Sequence, residues 1–280
     1  MYKILTKKEL NKTVVLMEID APLVAKKAEP GQFIILRTDE NGERIPLTIA
    51  DFNRKKGSVT IIFQIVGGTT YKLAQMQKGD YLQDFVGPLG KATHTDGLKK
   101  VAVVGGGVGC AIAYPVAKKL HSLGCEVHAI CGFRNEELVI LEKEFKGASS
   151  KFVLMTDDGS KGEKGLVTDA LRKLIDSGEE YDEVITIGPL PMMKFVCLLT
   201  KEYGIKTVAS MNPIMIDGTG MCGGCRLTVG GKTLFACVDG PEFDGHLIDF
   251  DEAMSRSNLY GDFEKHKYEQ TCNLFKKEVE

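Results

Sequence analysis

Short apolar runs punctuated by turn residues fill the first hundred positions. Residues 13–19, 32–37, 45–50, 58–64 and 81–85 read as strands, broken by Pro30-Gly31, Asn41-Gly42, Lys56-Gly57 and Lys78-Gly79-Asp80. Gly87-Pro-Leu-Gly90 closes the last of them, and residues 69–76 are the one helix expected here. Many short strands with evenly spaced turns predict a small antiparallel barrel. The pattern changes at residue 99. Residues 99–104 form a continuous β-branched run, as in a strand buried on both faces, followed by the glycine turn 105–109 and the apolar helix 110–120. Strands at 126–131, 151–155, 183–187 and 207–210 then alternate with helices at 136–145, 166–176 and 191–203. That alternation predicts a doubly wound parallel sheet.

In such sheets ligands bind outside the C-terminal strand ends. Four ends here are rich in glycine, proline or polar residues: 105–109, Cys131-Gly132-Phe133-Arg134, Thr156-Asp157-Asp158-Gly159 and Gly188-Pro189-Leu190-Pro191. The candidate dinucleotide contacts are Gly106, Gly107, Val108, Gly109, Gly132, Arg134, Asp157, Asp158, Gly188, Pro189 and Pro191. The glycine match is imperfect, because Cys110 stands at the last glycine position of G-x-G-x-x-G. No acidic residue falls clearly at the ribose position; Arg134 argues for a 2′-phosphate, and Glu136 and Glu137 beside it argue against one. In the first region, glycines precede a helix that carries Thr69 and Thr70 in its first turn, a place for either a pyrophosphate or a simple cap.

The third region carries metal chemistry. Asp217-Gly-Thr-Gly-Met-Cys222-Gly-Gly-Cys225 is followed by Cys237. A zinc ribbon needs a second close cysteine pair, which is missing. The plant-type 2Fe-2S spacing is C-x4-C-x2-C plus a distant cysteine, and counting back from Cys222 places Asp217 where the first thiolate belongs. The expected metal ligands are therefore Asp217, Cys222, Cys225 and Cys237, with Asp217 either ligating iron through oxygen or capping a turn.

Composition narrows the classes. Hydrophobic content is 43% and charged content 26%, ordinary for a globular protein. A net charge of -2 gives no case for nucleic acid, and no apolar run is long enough to span a bilayer. The N-terminus lacks an apolar signal core, so a cytoplasmic location is expected. Cys110, Cys125, Cys131, Cys197 and Cys272 are scattered as reduced, buried thiols would be.

Barrel, nucleotide sheet and C-terminal cluster, in that order, resemble the ferredoxin–NADP reductase-like superfamily. Within it the chain looks most like the small subunits that carry FAD and a 2Fe-2S centre, those of dihydroorotate dehydrogenase and of NADH-dependent reduced ferredoxin:NADP oxidoreductases. The resemblance implies an antiparallel FAD-binding barrel (1–98), a doubly wound NAD-binding α/β domain (99–212) and a small iron–sulfur region with a docking tail (213–280). The family's flavin motif, R-P-I-S, falls on Ile45-Pro46-Leu47-Thr48, which puts Thr48 near flavin N5 and displaces the arginine by one place, to Arg44. Pro46, Leu47, Phe63, Gln64, Gly68, Thr69 and Thr70 are the further flavin contacts implied. The family's C-G-P-x-P-M near the nicotinamide matches residues 188–192, with Ile187 in place of the cysteine.

By resemblance, the chain is an electron-transfer subunit linking NAD(H), FAD and a 2Fe-2S cluster to a larger iron–sulfur flavoprotein in a heterodimer. Ferredoxin and NADP(H) are reached through that partner by electron bifurcation. Asp217 and a tail with a helical stretch around 263–277 tilt the resemblance that way. The rival readings are the electron-transfer subunit of NAD-dependent dihydroorotate dehydrogenase, and a redox docking module that transfers no hydride.

Overall fold

The computed structural model describes residues 1–258 together with Gly261, His266 and Tyr268. The expected helical stretch at 263–277 lies outside the described residues apart from the last two of these, and so does Cys272. Tyr268 meets Tyr71 edge-on, with ring centroids 6.0 Å apart.

The first unit contains β1 (Tyr2–Glu9), β2 (Val14–Asp20), α1 (Pro22–Lys27), β3 (Phe33–Arg37), β4 (Ile45–Asn53), β5 (Ser58–Gln64), α2 (Gly68–Gln75), β6 (Tyr81–Leu82) and β7 (Asp84–Leu89). All pairings are antiparallel, in the order β6-β1-β2-β5-β4-β3-β7, and the sheet curls into a nearly closed barrel. Its interior is filled by Met17, Ile19, Ile34, Leu36, Ile61 and Phe85 among others. Two elements go beyond the sequence expectation. β1 is mostly lysine and polar residues, with Ile4 its one fully buried side chain, so strand pairing rather than patterning defines it. α1 is a second helix, set by Pro22 in its first turn and by burial of Val24 and Ala25. The run expected at 81–85 is two strands. The second continues through Gly87, which stays in the strand because a Cβ there would stand 2.7 Å from the Ile34 side chain.

The second unit contains β8 (Lys100–Gly106), α3 (Gly109–Ser122), β9 (Glu126–Phe133), α4 (Glu142–Gly147), β10 (Lys151–Thr156), β11 (Glu163–Lys164), α5 (Val167–Asp176), β12 (Glu183–Ile187), α6 (Leu190–Glu202) and β13 (Thr207–Ser210). The helix expected over 136–145 is a single 3-10 turn, Glu136–Leu138, and then α4. Between them the chain dips to bury Ile140, and Leu141 turns at φ 56°. The third unit contains the hairpin β14 (Arg226–Val229) and β15 (Lys232–Phe235), then β16 (Glu242–Asp244) and α7 (Phe250–Ser257).

The second sheet runs β11-β10-β9-β8-β12-β13-β16. It is parallel except at β16, which the third unit contributes antiparallel to β13. A separate core joins all three regions: Phe33 and Ile35 from the barrel, Met193 and Ala209 from the sheet, and Leu227, Val229, Cys225 and Cys237 from the hairpin region. Burying a side chain such as Leu227 contributes on the order of 2 kcal/mol, so this shared core seats the hairpin firmly. The segment between barrel and sheet is stitched to it: Lys91 N–H donates to the Gly240 carbonyl at 2.7 Å, and the Thr93 hydroxyl donates to Glu242 at 2.6 Å. Among the described residues no helix is long and apolar enough to cross a membrane.

Candidate functional site

Three neighbouring surfaces carry the candidate residues. On the barrel, Thr48 pairs with Phe33 across the β3–β4 ladder, half-buried, and its hydroxyl has no hydrogen-bond partner among the described residues. Pro46 and Leu47 flank it, also half-buried. Gln64 ends β5, but the ring of Phe63 is buried in the barrel core, so only its backbone is available to a ligand. The start of α2 takes the capping alternative. The Thr70 hydroxyl accepts from the Val66 and Gly67 amides, each at 3.0 Å, and donates to the Gly67 carbonyl. The Thr69 hydroxyl donates to Glu43 at 2.6 Å. Both hydroxyls are thus engaged within the protein, and what this helix start can offer a phosphate is backbone N–H from residues such as Gly68.

Arg44 does not point along the flavin strand. Its Nε donates to the Ile216 carbonyl at 2.8 Å, reaching the loop that holds Asp217.

On the parallel sheet, glycines line up across three strand ends. Gly106 pairs with Gly132, and a Cβ on Gly188 would stand 3.1 Å from the Gly106 amide. Gly107 turns the chain at φ 55° with open space before it, and its amide donates to the Gly132 carbonyl. Gly109 begins α3 packed against the end of β12; a Cβ there would meet the Ile187 carbonyl oxygen at 2.5 Å. Val108 lies between them, half-buried. The result is a floor without side chains beside a helix start, which fits a dinucleotide. Arg134 is exposed at the adjoining edge without a side-chain partner among the described residues, and the Asp157 and Asp158 amides donate back to the Phe133 and Arg134 carbonyls. The Asp158 carboxyl is held below its ordinary range by the Ser160 hydroxyl and amide. Pro189 and Pro191 flank the first turn of α6, both exposed.

At the third surface the hairpin brings two cysteines together. Arg226 pairs with Phe235, and Gly230-Gly231 supply the positive φ values of a tight turn. Cys225 therefore enters and Cys237 leaves at the same end, both buried, and the Cys237 amide donates to the Cys225 sulfur at 3.5 Å. Burial, reinforced by Cys225, pushes the Cys237 thiol up to about 12. Binding as a thiolate then releases a proton. Cys222 is exposed, with the Gly224 amide donating to its sulfur at 3.5 Å. The Asp217 carboxylate accepts from the Thr219 amide at 2.6 Å and from the Cys222 amide at 2.5 Å. These amides hold it below the ordinary carboxylate range. Cysteines with amides aimed at sulfur, two of them beside a loop that turns at Gly218, Gly220 and Gly223, fit a sulfur-bridged iron core.

The loop also leans on the barrel, since a Cβ on Gly218 would stand 2.6 Å from Leu89 and 2.8 Å from Ile35. Elsewhere, the Glu126–His128–Glu179 trio has metal-like spacing, but Lys100 already sits between its carboxylates as their counter-ion.

Comparison with known proteins decides among the classes these surfaces allow. Residues 103–198 match the model of an oxidoreductase NAD-binding domain. Residues 212–249 match that of the iron–sulfur cluster binding domain of dihydroorotate dehydrogenase B. A Thermotoga maritima protein named "Dihydroorotate dehydrogenase B (NAD(+)), electron transfer subunit homolog" is 46% identical over 252 residues, 90% of this chain and 89% of its own length. The chain belongs to the family of dihydroorotate dehydrogenase B electron transfer subunits and their homologues. A Clostridium beijerinckii protein, named only for lying in the adh 3′ region, is 54% identical over 93% of this chain and 90% of its own.

Among solved structures, a chain of the NADH-dependent reduced ferredoxin-NADP oxidoreductase, described for flavin-based electron bifurcation, superposes with a TM-score of 0.92. It is 41% identical and covers 96% of this chain and 97% of its own. The family member described here is an oxidoreductase subunit, an NAD-linked electron-transfer flavoprotein whose cofactors are FAD, a 2Fe-2S cluster and NAD(H).

Sequence reasoning missed three contacts: Arg44 with Ile216, Glu43 with Thr69, and Thr93 with Glu242. The first and third join residues more than a hundred positions apart, and no local pattern signals them.

Proposed function

We propose that this chain is the smaller subunit of an electron-bifurcating NADH-dependent ferredoxin:NADP oxidoreductase. The observation that carries the reading is the near-full-length match at 41% identity to a protein of that description. The Asp217-x4-Cys222-x2-Cys225 register supports it. A larger iron–sulfur flavoprotein completes the heterodimer and handles ferredoxin and NADP(H), in the cytoplasm. The chain divides by function into residues 1–98 for FAD, 99–212 for NAD(H) and 213–280 for the cluster and docking.

When bound, FAD would supply hydride exchange with a nicotinamide and single-electron exchange with a 2Fe-2S cluster. The chain's own residues position these groups. The unpartnered Thr48 hydroxyl is the donor toward flavin N5. The glycine floor of Gly106, Gly132 and Gly188, with Pro189 and Pro191 beside it, receives the nicotinamide dinucleotide, and Gly107, Val108 and Gly109 present amides to its phosphates. Cys222, Cys225 and Cys237 bind iron as thiolates. Asp217 would be the fourth ligand, and its harder oxygen donor would set the cluster potential apart from that of an all-thiolate site. Replacing it, Asp217→Cys, is expected to shift the midpoint in a redox titration; an unchanged midpoint would remove Asp217 from the ligand set.

The test of function is anaerobic co-purification of the tagged chain with its native partner, followed by assay. NADPH-driven ferredoxin reduction that requires NAD+ is the expected result. A second reading, the electron-transfer subunit of an NAD-dependent dihydroorotate dehydrogenase, is favoured by the name of the Thermotoga maritima relative. Dihydroorotate-dependent NAD+ reduction by the native complex would establish that reading instead. Failure of NADH to bleach the flavin would leave a docking module without hydride transfer.

A further inference from the structure

The four candidate iron ligands come from two differently held pieces of chain. Cys225 and Cys237 are fixed by the hairpin and the core beneath it. Asp217 and Cys222 lie on the preceding loop, and that loop is tied to the barrel. Its backbone just before Asp217 receives the Arg44 Nε hydrogen bond at 2.8 Å, and its backbone just after, at Gly218, rests on Leu89 and Ile35. The Asp217 carboxylate then carries the order forward to the Thr219 and Cys222 amides.

We propose that Arg44 is a positioning residue for the iron–sulfur loop, clamping the backbone before Asp217 to the edge of the flavin-facing strand. The inference rests on the cluster reading above and adds to it how the loop's ligands are held in register. The one-residue displacement of this arginine from the family's flavin motif has a physical meaning here. Arg44 falls just before β4, outside the ladder that Ile45 enters by pairing with Leu36, and its Nε reaches the iron–sulfur loop at the Ile216 carbonyl. Guanidinium suits the task, because its planar, fixed donors hold an angle that a flexible ammonium does not. The terminal nitrogens of Arg44 have no partner among the described residues, so the loop contact through Nε is its anchoring interaction.

The test uses the full-length chain purified anaerobically with its cluster, in saturating FAD. The readouts are the electron paramagnetic resonance g-values of the reduced cluster and the rate at which a chelator strips its iron. Losing one hydrogen bond corresponds to about two- to tenfold in an equilibrium or rate. Arg44→Met is expected to speed iron loss by about that factor and to change the g-values. Arg44→Lys, which can still donate to the Ile216 carbonyl, is expected to recover part of both. Wild-type g-values and iron-loss rate in Arg44→Met would overturn the proposal, whatever happens to FAD affinity. Should that variant fail to fold by circular dichroism, Arg44→Ala decides: altered g-values and faster iron loss support the clamp, and wild-type values of both overturn it. A wild-type chain with no 2Fe-2S signal would instead sink the cluster reading itself.

Discussion

Residues 105–109 and residues 217–225 are both glycine-rich, and the function proposed above gives each a different redox cofactor. In the first loop most glycines are required by crowding. A Cβ would stand 2.3 Å from Met192 sulfur at Gly106 and 2.5 Å from the Ile187 carbonyl oxygen at Gly109. In the second they are required by backbone direction, with φ of 79° at Gly218, 84° at Gly220 and 67° at Gly223. The nucleotide loop is shaped by the packed sheet beneath it and has its form before any ligand arrives. The cluster loop is shaped by turns, one capping carboxylate and its anchors on the barrel. A rigid floor suits a cofactor that comes and goes; a tied loop suits one that is built in.

Gly109→Ala gives the largest break in this contrast. The new methyl meets backbone, which cannot step aside, so a loss of about 3 kcal/mol is expected in denaturant unfolding, together with weaker NADH binding. The joint between cluster unit and sheet comes next. Loss of solvent around the Glu242 carboxyl, with Glu183 nearby, raises it to about 7 from an ordinary 4.5. The native state therefore favours the protonated form. That stability is fully present below pH 4.5 and is lost as pH rises through 7, a change of about 2–3 kcal/mol. Glu242→Gln should flatten this slope in unfolding measured from pH 5 to pH 8; an unchanged slope would show the carboxyl to be solvated.

Gly223→Ala tests the turning loop. Its Cβ would find ordinary contact with Phe235 at 3.7 Å, so only the positive φ is strained, at about 1–2 kcal/mol. Gly107 sharpens the comparison from inside the first loop, because it turns at positive φ in open space. Gly107→Asn should change stability by less than about 0.5 kcal/mol in the same assay.

The strand–glycine–helix order of the second unit was legible because its central strands β8 and β12 are buried on both faces and its longer helices each bury an apolar face. The barrel was legible from its turns. β1 was not, because its sequence is largely charged and its partner strand defines it. β16 was not, because three residues carry no pattern and the sheet edge recruits them from the cluster unit. At the candidate sites, spacing along the chain singled out Asp217, Cys222, Cys225 and Cys237, and the strand ends singled out the glycines that the structure brings together as a floor. It left a pyrophosphate and a cap open at Thr69 and Thr70, and the fold engages the Thr70 hydroxyl in the helix cap and the Thr69 hydroxyl with Glu43. It placed Phe63 at the flavin, and the barrel core buries its ring.

The sequence by itself determined the unit order, the glycine-rich strand ends and the spacing of aspartate and cysteines in the third unit. All are set by local chemistry: turn residues, apolar runs and cysteine spacing. The tertiary structure alone decided how those pieces face one another. Arg44 was turned toward Ile216, the cluster loop was laid on Leu89 and Ile35, and Glu242 was drawn to Thr93. Such contacts join residues far apart in the chain, and their geometry exists only once the shared core of barrel, sheet and hairpin has closed.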